Sequence, residues 1–196
     1  MAIMNNLEKN NNINTMILCA GRGQRMRYKT KYTAKPLIKI RNQPILKTNV
    51  NYLSSIGIKN CIINKSYKHV TIQKFIKNYS YKYTKPRMYS SFEKERLETG
   101  GGVKKALPLF NKKNMLIING DSLLLRKTNL CPVKKLFKNF NSNYMSILLL
   151  LAPINKSIGY YGGGDFIIKS RSISSRVERK KNNTSYKSFV FTGWQI

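Results

Sequence analysis

The chain has 196 residues, 37 Lys and Arg against 7 Asp and Glu, one histidine, three cysteines and a formal net charge of +30. A hydrophobic share of 41% excludes a disordered polycation and suffices for one α/β-sized domain. The single His69 excludes mechanisms built on a histidine pair, and Cys19, Cys61 and Cys131 show neither CxxC nor zinc-like spacing.

Residues 1–13 are Asn-rich, are broken by Glu8 and Lys9, and carry no signal-peptide core; they read as a disordered tail before one domain over 14–196. Asn14 to Cys19 is a short apolar run ending in a Gly-rich loop, as a buried first strand would be. Pro36 to Ile40 reads as extended. Ile45 to Ile56 has helical spacing, with Gly57 as its stop. Asn60 to Asn64 predicts a strand, His69 to Tyr79 a helix, Arg87 to Ser91 a weaker strand, and Val103 to Phe110 a short helix after a triple glycine. Met115 to Asn119 is a strand ending at Gly120-Asp121, and Pro132 to Phe140 suits a helix with proline in its first turn. Ser146 to Leu151, Asp165 to Ile168 and Phe189 to Thr192 are later strands, and the basic stretch from Ser170 to Ser188 is the expected mobile region. Strands alternating with helices predict a mostly parallel sheet covered on both faces, with ligands bound beyond the carboxyl ends of its strands. The loops after Cys19 and Asn119 lie at such ends. The longest apolar stretch, Ile147 to Ile154, is too short to span a bilayer and contains Pro153. A soluble, cytoplasmic protein with reduced thiols and no membrane partner is the expectation.

The charge admits a nucleic-acid partner. However, lysines occur singly or in pairs along the whole chain rather than in one block. With many Asn, Ile and Tyr beside them, they fit a compositional background, although that does not explain the scarcity of Glu.

The loop Ala20-Gly21-Arg22-Gly23-Gln24-Arg25, followed by Lys35-Pro36, combines bare backbone after a strand with cations suited to a polyphosphate. It is not a Walker A loop, and Met26 stands where a dinucleotide fingerprint needs its third glycine. Taken alone, Gly-x-Gly after a strand is also an ordinary turn. Asp121, at a strand end, suits a Mg²⁺ ligand or a turn cap. Glu98-Thr99-Gly100-Gly101-Gly102 offers flat backbone to a nucleobase or makes a flexible turn. Tyr160, Tyr161 and Trp194 can stack on a ligand or pack in the core. Glu93, Glu95 and Glu98 resemble a paired-carboxylate set, but alternating with Lys94 and Arg96 they read rather as a solvated face.

The stretch LCAGRGQRMRYKTKYTAKPL resembles the signature of the sugar-1-phosphate nucleotidyltransferases, with Gly21, Gly23, Arg25, Thr30, Lys35 and Pro36 in matching positions. Tyr28 and Ala34 stand where that signature carries prolines. Within the family, the N-acetylmuramate α-1-phosphate uridylyltransferase branch shares the ETGGG, NGD and GDF motifs, here at Glu98–Gly102, Asn119–Asp121 and Gly164–Phe166. The resemblance implies a Rossmann-like three-layer α/β/α fold with a mostly parallel mixed sheet. It also implies attack of a sugar 1-phosphate on the α-phosphorus of an NTP, UTP by this branch, with loss of pyrophosphate. In that scheme Arg25 and Lys35 are catalytic, and Ala20, Gly21, Arg22, Gly23, Thr99, Gly100 and Gly101 bind nucleotide. Asp121 holds Mg²⁺, and Gly164 and Asp165 hold the sugar phosphate. Family members continue past the TGWQI-like strand with a tail bearing a second metal-binding Asp, so by this comparison the C-terminal part of the fold is missing. The competing expectation is an inactive, highly basic relative that binds nucleotide or RNA.

Overall fold

The computed structural model describes residues 14–110, 114–123, 131–156, 164, 166–168, 177–179 and 188–195. The 1–13 tail and most of the 170–188 stretch lie outside the described residues. The chain begins with β1 (Asn14–Leu18), two 3₁₀ segments (Gln24–Thr30 and Lys35–Leu37), and the short strands β2 (Lys39–Ile40) and β3 (Gln43–Pro44). Then come α1 (Ile45–Ser55), β4 (Asn60–Lys65), α2 (His69–Lys82), β5 (Arg87–Phe92) and α3 (Glu98–Ala106). A 3₁₀ turn at Leu107–Leu109 leads to β6 (Met115–Asn119), α4 (Pro132–Asn139) and β7 (Leu148–Pro153). The last elements are β8 (Phe166–Ile168), β9 (Val177–Arg179) and β10 (Ser188–Gln195).

The main sheet runs β5-β4-β1-β6-β10-β8-β9, with β7 also paired to β10. Strands β5, β4, β1 and β6 are parallel, while β10 runs antiparallel to β6, β7 and β8. The middles of the central strands are buried and largely apolar because both faces are covered, as parallel sheets require. Their period of two sorts the side chains. Met16, Ile62 and Ile117 pack with Val103 and Ala106 of α3 on one face. Ile17, Ile63 and Ile118 pack with Leu46 and Val50 of α1, Ile72 of α2 and Val133 of α4 on the other. This is the three-layer, Rossmann-like arrangement with a parallel-dominated sheet.

Chain order reverses direction at β1: β4 and β5 were laid down on one side of it, and β6 on the other. A crevice therefore opens between the carboxyl ends of β1 and β6, where doubly wound sheets place ligands.

Two local expectations need correction. Pro36 to Ile40 is not one extended segment. Pro36 opens a 3₁₀ turn in which the Leu37 N–H donates to the Ala34 carbonyl (2.9 Å) and the Ile38 N–H to that of Lys35 (3.1 Å), leaving only Lys39–Ile40 as strand. Helix α3 begins at Glu98, not Val103, and so takes in all three glycines. Burial of Val103 and Ala106 against the sheet outweighs the cost of roughly 1 kcal/mol per helical glycine.

Candidate active site

Strand β1 delivers Cys19, Ala20 and Gly21 to the mouth of the crevice, and β6 delivers Asn119 and Asp121. Together with Lys35, Asn64, Glu93 and Thr99 these residues line a cavity of about 290 Å³. The two sides are fastened where the strands end: the Gly120 N–H donates to the Leu18 carbonyl at 3.0 Å. A side chain at Gly120 would run into that carbonyl and lie 2.9 Å from the Cys19 sulfur, so the close approach demands glycine. Gly21, by contrast, has open space where a Cβ would stand, leaving its backbone accessible from the cavity.

The loop after Gly21 is held by Thr30, which is buried and shares its hydroxyl proton between the carbonyls of Gly23 (3.2 Å) and Arg27 (3.1 Å). Gly23 takes a left-handed φ of 65° at the start of the 3₁₀ segment. Lys35 stands between the buried Ala34 and Pro36, and the Ala34 N–H donates to Thr71 Oγ1 of α2 at 3.3 Å. Its ammonium reaches across the crevice and ion-pairs with Asp121 Oδ2. Both side chains remain about one-third exposed, at 32% and 39%, so the pair faces solvent and can be opened by a ligand.

Among the remaining expected site residues, Thr99 lines the cavity from the first turn of α3. Gly100 and Gly101 follow it inside the helix and are not in the cavity wall. Arg25 is exposed on the 3₁₀ segment outside the wall, and Arg22 lines an adjoining hollow with Gln24, Arg27, Tyr28, Lys31 and Tyr67. Gly164 adopts a left-handed φ of 86°. Asp165, Tyr160 and Tyr161 lie outside the described residues. Trp194 is in β10, paired with Ile117 of β6 and Leu149 of β7.

The solvated-face reading fails for Glu93. This residue is 1% exposed and lines the cavity. It accepts from Asn64 Nδ2 at 2.7 Å and from the Leu97 N–H at 3.3 Å. Glu98 is exposed and pairs with Arg96 at 3.0 Å, and both also line the cavity. The signal available for Glu93 was its place immediately after a strand, at the ligand-binding edge of the sheet.

The chemistry on offer is electrostatic. Burial, and then the charges of Cys61 and Asp121, hold the Cys19 thiol well above its ordinary pKa, so it is protonated and a poor nucleophile. His69 sits at the start of α2 against Phe92, with ring centroids 4.8 Å apart, and does not line the cavity. No cluster of three or more metal-ligating side chains occurs among the described residues. The donor set does fit a cation held mainly by a ligand's oxygens, because Mg²⁺ needs only one or two protein carboxylates beside substrate phosphates and waters. Asp121 offers such a carboxylate on the cavity wall.

Solved structures share this architecture. HddC from Yersinia pseudotuberculosis, complexed with GMP-PN, superposes with a TM-score of 0.69 at 19% identity, over 94% of this chain and 76% of that one. UDP-glucose pyrophosphorylase complexed with UDP-glucose gives 0.73 at 14% identity, over 93% and 74%. At such identities these likenesses define the fold: that of the nucleotide-diphospho-sugar transferases. Residues 14–162 match the nucleotidyl transferase model, and the chain belongs to that family. Its relatives are sugar-1-phosphate nucleotidyltransferases. D-glycero-α-D-manno-heptose 1-phosphate guanylyltransferase of Aneurinibacillus thermoaerophilus is 34% identical over 147 residues, 75% of this chain and 60% of that protein. N-acetylmuramate α-1-phosphate uridylyltransferase of Caulobacter vibrioides is 26% identical over 156 residues, 79% and 64%. The chain thus spans less than two-thirds of the length of these relatives. Among the described residues, no helix is long and apolar enough to cross a membrane.

Proposed function

We propose that the protein transfers a nucleotidyl group from an NTP to a sugar 1-phosphate, releasing pyrophosphate. The observation carrying this reading is the pairing of Lys35 with Asp121 across the crevice, between an open glycine backbone and the start of α3. The incoming nucleophile is a phosphate oxygen and already an anion, so no general base is required. The task left to the protein is to hold two mutually repelling anions in line.

In this scheme the backbone from Ala20 to Gly23 and the Arg22 side chain receive the triphosphate, and Arg25 swings in to grip the departing pyrophosphate. Lys35 leaves Asp121 and bridges the phosphates of both substrates. Asp121, freed from Lys35, would hold a divalent cation, Mg²⁺ in our reading, which when bound offsets charge on the α-phosphate. Thr99 meets the base from the cavity wall, with Gly100 and Gly101 behind it in the first turn of α3, and Gly164 and Asp165 meet the sugar phosphate. The free Cys19, Cys61 and Cys131 suit a reducing compartment, and the reaction is placed in the cytoplasm on that ground.

UTP with N-acetylmuramate 1-phosphate is the substrate pair that the ETGGG, NGD and GDF motifs favour. GTP with a heptose 1-phosphate is a second reading, favoured by the 34% identity to a guanylyltransferase. Pyrophosphate release with Mg²⁺, measured for four NTPs against a panel of sugar 1-phosphates containing both sugars, separates them. One preferred pair is expected. No release from a cooperatively folded protein would favour the non-catalytic alternative.

A further inference from the structure

Two buried polar side chains tie together the segments assigned above to triphosphate and base. The Cys19 N–H, where the phosphate loop begins, donates to Asn64 Oδ1 at 2.6 Å. Asn64 lies near the carboxyl end of β4 and is 3% exposed; its Nδ2 donates to Glu93 Oε1 at 2.7 Å. Glu93 follows β5, and its backbone N–H donates to the Lys65 carbonyl at 2.9 Å. Its second carboxylate oxygen accepts the Leu97 N–H at 3.3 Å, one residue before α3. The ends of β1, β4 and β5 and the start of α3 are thus joined in one chain of hydrogen bonds. Helix α3 closes tightly over it: a Cβ on Gly102 would stand 2.6 Å from Glu93 Oε1 and 3.1 Å from Asn64 Nδ2.

Holding a carboxylate in such a place costs desolvation energy, and no cation pairs with it among the described ion pairs. Apolar side chains could fill the same volume without that cost. What they could not do is set the distance between the loop and the helix by directional bonds, each with a defined donor and acceptor.

We propose that Asn64 and Glu93 act as a positioning strut that fixes the spacing between the phosphate loop and the start of α3, so that an NTP engages both at once. The proposal rests on the nucleotide-binding reading of those two segments. A two-part ligand binds more tightly than its parts only when one geometry satisfies both sites. Loosening the strut therefore removes the advantage of the whole NTP while leaving its fragments bound as before.

The test is titration calorimetry of the full chain with UTP and with GTP, and separately with inorganic tripolyphosphate, each paired with a thermal melt. Glu93→Gln replaces the acceptor for Leu97 by an amide that can satisfy only part of the network. Gly102→Ala pushes on both side chains from the helix without deleting a polar group. Both variants are expected to lose about tenfold or more in NTP affinity, with tripolyphosphate affinity within about threefold of wild type and a cooperative melt retained. Unchanged NTP affinity in both, parallel loss of both ligands, or loss of the cooperative melt in both would overturn the strut. Absence of NTP binding by the wild-type protein would instead overturn the functional reading, and the strut with it.

Discussion

Asp121→Asn keeps the side chain's size and removes its charge, and the structure predicts that function and stability respond very differently. Lys35 and Asp121 are 32% and 39% exposed, so water and salt screen their attraction. A pair of this kind contributes about 0–1 kcal/mol. For a chain of this length, that corresponds to a Tm shift of no more than about 4 °C. The amide still accepts a hydrogen bond from Lys35, which reduces the loss further. Transfer should behave otherwise, because in our reading Asp121 would hold the cation that offsets charge on the α-phosphate while charge is redistributing. Removing one such electrostatic group typically costs about 10²–10³ in rate. The assay is pyrophosphate release under saturating NTP and sugar 1-phosphate, with a thermal melt on the same samples. A rate within a few-fold of wild type would refute the assignment of Asp121. A Tm drop beyond about 10 °C would show that the residue supports the fold instead.

Other consequences follow from the packing. Thr30→Val removes the hydroxyl shared by the Gly23 and Arg27 carbonyls, so NTP affinity should fall while stability drops by about 1 kcal/mol; unchanged affinity in a binding titration would show that the loop is held by other contacts. Leu46, fully buried between α1 and the sheet, should cost about 2–5 kcal/mol as Leu46→Ala in a denaturant melt, and a loss below 1 kcal/mol would contradict its placement in the core. Burial pushes the Cys61 thiol from 9.0 up to about 12, and Cys19 is raised as well. The native state therefore holds these protons more tightly than the unfolded chain, and their contribution is complete below pH 9 and lost as pH climbs from there towards 12. Melts across that range should show falling stability, and iodoacetamide should label both thiols slowly until the protein is unfolded.

The mostly parallel sheet covered on both faces was legible from residues 14–119, because apolar runs ending at Cys19 and Gly120 mark buried parallel strands. The start of α3 was not. Three glycines argue locally against helix, and the surface that buries Val103 and Ala106 includes Met16 and Ile62, which are distant in sequence. Glu93 escaped for a similar reason: Glu-Lys-Glu-Arg reads as a solvated run, and its burial depends on an asparagine 29 positions away. The pairing of Lys35 with Asp121, across 86 positions, is likewise a product of topology. Local spacing supplies candidates, whereas long-range pairing decides which of them meet.

The most direct test of the central claim is to follow an α-³²P-labelled NTP through the reaction with sugar 1-phosphate and Mg²⁺. The account predicts that label moves into a product whose mass equals the nucleoside monophosphate joined to the sugar 1-phosphate, with one pyrophosphate released per product. Label that stays in the NTP, or appears as free nucleoside monophosphate irrespective of sugar 1-phosphate, would contradict it.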